Sequence, residues 1–434
     1  FFSCECILVA LRHCVPALVH WYDMSGSGEI SEFTETLVSD LSSRCPHFRI
    51  NGDHISVLET PSEFLVNLKA LIARSSKRIV VAALYLGTDE PETCLVDTIK
   101  DALERSQDLR VTILFDRARS ERRTSNPLYP STLELLAPVQ QAHPNRVSVF
   151  LWRSPLLTPF ARTILPSTKL YEVVGVQHLK VFIGDEDMIL SGANLSEQYF
   201  TNRQDRYVEV RTCRQLVDWY YQLVHTVCMH SFPWRPCAST EDLLPKSGID
   251  PSTHPHQFKA SLLSQLQSLV QPRAIQCLLT DDADTSVFPT IQLGPIGMTH
   301  DEDIVTHLLQ ELATHKGSQM FLASPYFNIA PQYMDVLLAC TSMGLLHVIT
   351  AHPSTNGFHT AKGVMRHIPS LYLLQAQRFM QNVVHRGQGS RTHLFEYVRP
   401  QWTFHAKGLW FMNESHGKGV CVTAIGSPNW EHRS

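Results

Sequence analysis

Two copies of one short pattern, His-x-Lys followed downstream by a turn that ends in asparagine, lie in widely separated parts of the chain. The first copy is His178-Leu179-Lys180 with the turn 191–194, and the second is His405-Ala406-Lys407 with the turn 426–429. In both copies the polar residues alternate with apolar ones, which is the period of a half-buried strand, so the histidine and lysine are expected on one face. Each half of the chain would therefore present a His, a Lys and an Asn together, and the duplication predicts a fold that is built twice.

The sequence around the two copies repeats the same order of helices and strands. The first half is predicted to contain a helix at 61–72 and strands at 79–86, 111–116 and 147–152. The second half is predicted to contain a helix at 303–312 and strands at 320–327, 346–351 and 393–397. This order predicts an α/β fold in which an α/β/α sandwich occurs twice, with the two halves related by a pseudo-twofold axis and the site between them.

Composition divides the chain into four regions. An N-terminal extension (1–45) precedes the first half (46–230), a linker rich in Pro, Ser, Thr and His (231–300) follows, and the second half is 301–434. The extension has no repeat partner, and its acidic residues do not suit a presequence. Within the linker, the apolar spacing at 258–270 predicts an amphipathic helix, for which packing on a core is favoured over membrane contact.

Overall composition limits the classes of protein that fit. The chain has 434 residues, of which 44% are hydrophobic and 18% charged, enough for one large core or two ordinary ones. A net charge of −4 argues against an enzyme that depends on broad attraction to nucleic-acid phosphates. The 11 cysteines include no Cys-x-x-Cys pair, so neither a disulfide framework nor a zinc site is indicated, and a reducing compartment fits. No uninterrupted apolar stretch is long enough to predict a membrane span.

A pair of histidines supplied by two halves suits chemistry at a phosphodiester. Attack on phosphorus needs a nucleophile on one side and a proton donor on the other, and imidazole can serve as either. Lysine and asparagine can then complete a cradle for the phosphoryl oxygens. A single His-x-Lys is a weak signal, because a histidine on a strand is more often structural, but two copies with matching turns favour a catalytic interpretation.

The spacing of His178, Lys180 and Asp185 resembles the His-x-Lys-x4-Asp signature of the phospholipase D superfamily. Longer runs at 190–196, 199–207, 402–410 and 425–429 resemble the mitochondrial phosphatidylglycerophosphate synthases of eukaryotes, and the likeness covers roughly residues 46–430. The resemblance implies transfer of a phosphatidyl group from CDP-diacylglycerol to glycerol 3-phosphate with release of CMP. It also implies no cofactor and no metal, peripheral contact with membrane lipid, and a mitochondrial location at the inner membrane.

The same resemblance implies a role for each motif residue. His178 would be the nucleophile that forms a phosphatidyl-histidine intermediate, and His405 would be the general acid and then the general base. Asp185 would complete the first catalytic motif, and Asp205, downstream of Asn194, is the natural candidate for the carboxylate that orients His178. The phosphoryl oxygens would be stabilised by a larger set: Lys180, Lys407, Asn194, Ser427 and Asn429.

The second half departs from the signature in two places. Met412 stands where the acid of the second motif should be, and the nearest acid, Glu414, is interpreted as a turn residue. The counterpart of Asp205, counted from Asn429, would fall at position 440, past Ser434. We therefore expect a truncated chain in which His405 lacks its supporting acid and activity is reduced or absent.

Three functions stay open at this stage. They are the phosphatidyltransferase, a phosphodiesterase or phospholipase of the same fold that uses water, and a catalytically silent homologue that binds lipid or partners. A cluster of arginines just past the strand ending at Asp116 also allows two interpretations. It could grip a diphosphate or the glycerol 3-phosphate headgroup, or it could be a solvated loop, and its place at the edge of the sheet slightly favours the first. The cluster is Arg117, Arg119, Arg122 and Arg123.

Overall fold

A computed structural model describes residues 2–10, 32–158, 163, 175–236, 243–275, 283–339, 342, 344–413 and 420–431. The α-helices in these ranges are α1 (Glu32–Ser42), α2 (Pro61–Arg74), α3 (Glu90–Arg105), α4 (Arg117–Ser120), α5 (Thr132–Ala142), α6 (Glu197–Thr201), α7 (Arg214–Met229), α8 (Pro255–Leu269), α9 (His300–Ala313), α10 (Pro331–Ala339) and α11 (Ile368–His385).

The strands up to residue 275 are β1 (Phe2–Ala10), β2 (Pro46–Ile50), β3 (Ile55–Leu58), β4 (Arg78–Ala82), β5 (Arg110–Asp116), β6 (Val147–Trp152), β7 (Val181–Gly184), β8 (Asp187–Ser191), β9 (Arg203–Gln204), β10 (Tyr207–Val210), β11 (Phe232–Trp234) and β12 (Arg273–Ile275). Those that follow are β13 (Thr285–Leu293), β14 (Ser318–Ala323), β15 (Leu345–Ala351), β16 (Thr392–Tyr397), β17 (Thr403–Phe404), β18 (Gly408–Asn413) and β19 (Val420–Gly426).

Local sequence explains the first helix of the repeat. The Thr60 side chain accepts a hydrogen bond from the backbone N–H of Glu63 and caps α2, and Pro61 occupies the first turn, where a missing N–H costs nothing. Buried side chains at Phe64, Leu68 and Leu71 recur at helical spacing and face the sheet. The predicted helix at 61–72 is confirmed and extends to residue 74.

The first half forms an eight-stranded sheet with the order β11-β6-β5-β4-β7-β8-β10-β3. Strands β4, β5 and β6 run parallel, whereas β7 is antiparallel to both β4 and β8. The strand that follows His178 and Lys180 therefore lies at the centre of the sheet, next to the parallel strands.

The second half contributes a nine-stranded sheet with the order β12-β2-β13-β1-β19-β18-β14-β15-β16. Here β14, β15 and β16 run parallel, and β18 is antiparallel to β14 and β19. The blocks β6-β5-β4-β7-β8 and β16-β15-β14-β18-β19 thus have the same order and directions, so the predicted duplicated α/β fold is confirmed.

Apolar packing joins the two sheets into one structure. Side chains of α2, α3 and α5 pack on the first sheet, and those of α9, α10 and α11 pack on the second. A further core combines α7 and α8 with buried residues of both sheets, such as Val80 of β4 and Ile291 of β13. The helix predicted at 258–270 is α8, and it packs into this core through Phe258, Leu262 and Leu266.

The predicted N-terminal extension and the predicted linker both contribute strands to the two sheets. In the extension, β1 pairs with both β13 and β19 near the middle of the second sheet. In the linker, β11 joins the first sheet and β13 is buried along its whole length in the second. The description of 1–45 as a mere extension and of 231–300 as a mere linker is therefore corrected. Among the described residues, none of the helices combines the length and apolar character needed to cross a bilayer.

Candidate active site

Each His-x-Lys pair lies immediately before an antiparallel strand of its own half. His178 and Lys180 lead into β7, and the turn ending at Asn194 leaves the adjacent strand β8. Because β7 and β8 are antiparallel, the start of one and the end of the other share an edge of the sheet, and the Ser191 N–H donates to the Lys180 carbonyl oxygen at 3.3 Å. The pair β18 and β19 repeats this arrangement for His405, Lys407 and Asn429.

His405 is held from three sides in a buried pocket. The residue is 5% exposed, and its Nδ1 lies 2.6 Å from Asp205 Oδ2, a carboxylate that is itself 2% exposed. Its Nε2 lies 3.3 Å from the Tyr199 hydroxyl. An Nδ1–H that donates to the carboxylate leaves Nε2 with a lone pair, which is the tautomer needed to exchange a proton with a substrate oxygen.

Lys407 is packed against the same imidazole. Its Nζ donates to the His405 carbonyl oxygen at 2.6 Å and lies 3.0 Å from His405 Nε2 and 4.0 Å from Asp205 Oδ2. Burial, followed by the charge of Lys407, holds the pKa of His405 well below its ordinary value. Burial also lowers the pKa of Lys407 to about 8. In the free protein, His405 is therefore neutral at physiological pH.

The carboxylate at Asp205 orients the histidine of the other half, not that of its own. The sequence assigned Asp205 to His178, but its Oδ2 contacts His405 across the boundary between the halves. The expectation that His405 has no supporting acid is therefore wrong. Local spacing could not reveal this contact, because Asp205 and His405 are 200 residues apart and meet only where β9 of the first half pairs with β17 of the second.

Gly192 makes room for this carboxylate. A Cβ atom placed on Gly192 would lie 2.5 Å from Asp205 Oδ1, closer than real Cβ contacts allow. The small residue in the first asparagine turn is thus required by the approach of the buried acid. Burial raises the pKa of Asp205 to about 6, with Lys407 opposing this shift, so the group is ionised at neutral pH.

Tyr199 is a site residue that the motif analysis missed. Asn194 Nδ2 donates to its hydroxyl at 3.1 Å, and the same hydroxyl lies 3.3 Å from His405 Nε2. Burial raises the pKa of the phenol, so the hydroxyl keeps its proton and can donate to the imidazole. Tyr199 therefore links the asparagine of the first half to the histidine of the second. Its only sequence signal was its place in the run 199–207.

His178 stands in a less enclosed setting than His405. The residue is half-buried, and Lys180 Nζ donates to its backbone carbonyl oxygen at 2.9 Å. Removal of water from the ring, followed by the charges of Lys180 and Lys407, holds the pKa of His178 well below its ordinary value. Lys407 and His405 of the other half contribute to this shift, and the contacts of Asp205 and Tyr199 with His405 join the two halves at the same place.

Asp185 lies outside this site. It follows β7, whereas His178 precedes it, so the two residues stand at opposite ends of the strand. The Asp185 carboxylate accepts backbone N–H bonds from Ser76 and Lys77 at 2.8 Å and from Arg78 at 2.9 Å. The assignment of Asp185 to the catalytic set is therefore corrected: its carboxylate fixes the loop that leads into β4.

Polar atoms suited to phosphoryl oxygens line the two turns. Ser427 is 3% exposed and Asn194 is 5% exposed. Within the described ranges, no hydrogen-bond partner reaches Ser427 Oγ or Asn194 Oδ1. Buried polar groups are rarely left in this state unless a ligand or water completes them. The Asn429 backbone is fixed by Ser324, whose hydroxyl donates to the Asn429 carbonyl oxygen at 2.9 Å.

Strands β9 and β17 connect the halves beside the histidines. They pair in parallel, Arg203 with Thr403 and Gln204 with Phe404. The Arg203 Nε donates to Thr403 Oγ1 at 2.9 Å, and the guanidinium stands 4.8 Å from the centroid of the Tyr199 ring. This contact fixes the ring whose hydroxyl touches His405.

Arg206 makes a second bridge between the halves. Its Nη1 donates to the Ala424 carbonyl oxygen at 2.7 Å, and its guanidinium lies 3.9 Å from the centroid of the Trp410 ring. Gly408 has a φ of +148°, and a Cβ there would lie 1.8 Å from Arg206 Nη1. Glycine is thus needed immediately after Lys407 both for the backbone conformation and for the passage of this arginine.

The arginine cluster of the first half divides between two environments. The Arg119 guanidinium stands 4.3 Å from the centroid of the Tyr85 ring, and the Tyr85 hydroxyl lies 3.2 Å from Ser196 Oγ, two residues beyond Asn194. Arg117 instead donates to Glu121 Oε1 at 2.9 Å. Arg119 therefore borders the rim of the site. Arg123 is exposed, and Arg122 is half-buried.

Metal ligation has no candidate in the part of the chain that the structure describes: no group of three or more His, Cys, Asp or Glu side chains is placed to hold an ion. The groups that converge are two imidazoles, two ammonium groups and one carboxylate. This set can form and cleave a bond to phosphorus and move a proton on the opposite side.

Curated proteins of known name are similar to most of this sequence. A protein of Dictyostelium discoideum named probable CDP-diacylglycerol--glycerol-3-phosphate 3-phosphatidyltransferase is 34% identical over 432 residues, covering 94% of this chain and 73% of its own length. The mitochondrial enzyme of that name from Mus musculus is 35% identical, covering 90% of this chain and 73% of its own length. The Saccharomyces cerevisiae enzyme is 31% identical, covering 93% and 80% respectively.

A solved structure shows the same fold at lower identity. The crystal structure of phosphatidylserine synthase from Haemophilus influenzae superposes with a TM-score of 0.66 at 18% identity, covering 92% of this chain and 86% of that one. No family model matches the sequence.

Proposed function

We propose how the residues of the site divide the reaction in this chain, which belongs to the CDP-diacylglycerol--glycerol-3-phosphate 3-phosphatidyltransferase family. The reaction transfers the phosphatidyl group of CDP-diacylglycerol to glycerol 3-phosphate, and the products are phosphatidylglycerophosphate and CMP. The contact that best supports the division of roles is the 2.6 Å approach of Asp205 Oδ2 to His405 Nδ1, because it fixes the tautomer in which His405 Nε2 can exchange a proton.

In the first step, His178 attacks the phosphatidyl phosphorus. A bond from an imidazole nitrogen to phosphorus forms, the bond from phosphorus to the CMP oxygen breaks, and a phosphatidyl-histidine intermediate remains. A nucleophilic imidazole must be neutral, and the depressed pKa of His178 supports this state. Its partial exposure also leaves a path for a lipid phosphate to reach the ring.

His405 moves the proton on the opposite side of phosphorus. Its low pKa in the free protein means that it must gain a proton as substrate binds. The negative charges of the diphosphate raise the pKa of a nearby imidazole, and Asp205 holds the ring in place while this occurs. The protonated His405 then donates to the departing CMP oxygen, a contribution of about 10²- to 10⁴-fold in rate.

The second step reverses the direction of proton transfer. The 1-hydroxyl of glycerol 3-phosphate gives its proton to His405 Nε2 as its oxygen bonds to phosphorus, and the bond between phosphorus and His178 breaks. Lys180 and Lys407 offset the charge on the phosphoryl oxygens in both steps. The open polar atoms of Ser427 and Asn194 lie among the same groups and support a phosphate-binding role together with Asn429.

Location and membrane contact follow from the substrate. The mouse and human relatives are named as mitochondrial, which supports a mitochondrial location for this chain. CDP-diacylglycerol carries two acyl chains that stay in a bilayer, so we propose peripheral contact with membrane lipid and association with the inner membrane. Arg119, beside Tyr85 at the rim, is proposed to attract the anionic headgroups.

Incubation of the purified protein with CDP-diacylglycerol labelled in the cytidine moiety tests this function, with and without glycerol 3-phosphate. We expect CMP release that depends on the acceptor, together with labelled phosphatidylglycerophosphate when the label is in the lipid. Release that is independent of the acceptor would instead identify a hydrolase of the same fold. A folded protein that releases no CMP under either condition would identify the silent homologue.

A further inference from the structure

Helix α11 presents apolar side chains on the face that points away from the protein. Its buried side is formed by Pro369, Ala376, Phe379 and Val383. Leu371 is nevertheless 59% exposed and Leu374 is 42% exposed. Leu373, between them, is 38% exposed. An outer helix face in a globular protein is normally polar, so three exposed leucines within four residues are unusual.

Basic residues frame these leucines along the same face. His367, Leu371, Leu374 and Arg378 are spaced by four, three and four positions, which places them in one line along a helix. Residues Met365 (49% exposed) and Arg366 extend the surface into the preceding turn, and Lys362 lies three residues before Met365. We call the exposed residues of 362–378 the α11 surface. Apolar side chains with Arg366 at one end and Arg378 at the other match the interface of a bilayer with anionic headgroups.

The α11 surface is continuous with the active site through aromatic rings. Tyr372, on the inner side of the helix, has its ring centroid 5.4 Å from that of Tyr326. The Tyr326 ring in turn lies 5.7 Å from the His405 ring. Phe358, in the loop that precedes the α11 surface, is 5.6 Å from Tyr326. The helix that carries the exposed leucines is thus connected, through Tyr372 and Tyr326 on its inner side, with the ring of His405.

We propose that the α11 surface docks on an anionic lipid bilayer and thereby positions the active site at the level of the lipid phosphates. This inference rests on the proposed function, because a donor with two acyl chains must present its diphosphate to His405 while the chains remain in the membrane. The leucines enter the boundary between headgroups and acyl chains, and the basic side chains contact the lipid phosphates. A bilayer fits better than a protein partner, because positive charge brackets the apolar groups at both ends of the stripe.

Vesicle sedimentation without substrate tests the docking surface directly. The full chain is mixed with vesicles of phosphatidylcholine alone, or with vesicles that also contain phosphatidylglycerol. We expect binding to the anionic vesicles, and we expect Leu371→Glu/Leu374→Glu to weaken it by about tenfold or more. Arg366→Ala/Arg378→Ala should weaken it by about fivefold per charge at low salt, with a smaller effect at high salt.

Val66→Glu is the matched control, since Val66 is 65% exposed on α2 of the other half. This variant should bind the vesicles as the wild type does. The proposal is overturned if the wild type does not bind anionic vesicles, if the leucine variant binds them unchanged, or if Val66→Glu loses as much binding. Self-association of the wild type that the leucine variant abolishes, without vesicle binding, would instead identify the surface as a protein interface.

A soluble donor separates this inference from the proposed function. CDP-diacylglycerol with acyl chains short enough to stay monomeric needs no docking, so the leucine variant should turn it over at the wild-type rate while losing turnover on vesicles. A wild type that is inactive with both donors would refute the proposed function, whereas vesicle binding would still decide the role of the α11 surface. Loss of turnover on the soluble donor by the folded variant would contradict docking as the role of these leucines.

Discussion

The two halves carry the same motif in different surroundings. His405 is enclosed by Asp205, Tyr199 and Lys407, all within 3.3 Å of its ring nitrogens. His178 is half-buried, whereas His405 is 5% exposed; in both halves the lysine Nζ donates to the backbone carbonyl oxygen of its histidine. Duplication therefore supplied two equivalent imidazoles, and the packing of the halves made them unequal. An enclosed, oriented ring suits proton transfer, and an accessible neutral ring suits attack on phosphorus.

The largest expected effect comes from removing Asp205, the acid that orients His405. Asp205→Asn places an amide N–H against Nδ1 and favours the wrong tautomer, so kcat should fall by about 10²- to 10⁴-fold. Steady-state kinetics on the labelled donor measure this loss, and thermal unfolding confirms that the variant is folded. Asp185→Asn is the matched control, because the structure places Asp185 at the far end of β7. Its activity per folded molecule should stay near that of the wild type, and equal losses in both variants would contradict the distinction.

The next largest effect is expected from a substitution at Gly192, a residue that takes no part in the chemistry. Gly192→Ala introduces a Cβ that would lie 2.5 Å from Asp205 Oδ1, so the carboxylate must move away from His405. Displacement of the Asp205 carboxylate, which orients His405, is expected to lower kcat by about 10²-fold. Gly389→Ala provides a comparison, since no atom lies within 4 Å of a Cβ at that glycine. Wild-type kcat in Gly192→Ala would show that the Asp205 contact is dispensable.

The pH dependence of kcat/KM should report the ionisation of Asp205 and of Lys407. Asp205 must be ionised to accept the Nδ1–H of His405, and its pKa is raised to about 6, so kcat/KM should fall below this pH, by about tenfold between pH 7 and pH 5. Lys407 must be charged, and its pKa is lowered to about 8, so a second decline is expected above that pH. In Asp205→Asn the acid decline should disappear from the profile. Its persistence at the same pH would assign the decline to another group.

The smallest expected effect comes from removing the Tyr199 hydroxyl, which links Asn194 of the first half to His405 of the second. Tyr199→Phe removes one neutral hydrogen bond to His405 at 3.3 Å, so kcat/KM should fall by about 2- to 10-fold. Tyr207→Phe serves as the comparison, because Tyr207 is also buried but its hydroxyl points to the Arg203 carbonyl oxygen. A larger loss of kcat/KM in Tyr207→Phe than in Tyr199→Phe would show that the hydrogen bond from Tyr199 to His405 does not contribute to catalysis.

Local patterns in the sequence predicted the repeated elements well. The order of helix and strands and the edge of the sheet that carries each His-x-Lys depend on residues close together in the chain, as in β7 and β18. The strand predicted at 79–86 ends early, at Ala82, because the chain then leaves the sheet toward the site. Such boundaries depend on neighbouring strands and are harder to predict than the elements themselves.

Contacts between distant segments could not be predicted in this way. The pairing of β1 with β13 and β19 depends on strands hundreds of residues apart, and β13 contains Pro289, which argues against a central strand. Pro289 is tolerated because β2 pairs only with residues 285–287, so the side that lacks an N–H faces no partner strand there. The assignment of Asp205 failed for the same reason, because this acid contacts a histidine 200 residues away, in the other half.

Trapping of the covalent intermediate tests the division of roles most directly. Donor labelled in the phosphatidyl group is mixed with each histidine variant, the reaction is quenched, and the label is located on the protein by peptide mass spectrometry. We expect His405→Ala to accumulate label on His178, because the nucleophile is present while proton transfer is impaired. His178→Ala should carry none. Label on His405 in the His178→Ala variant would contradict the assignment of the nucleophile.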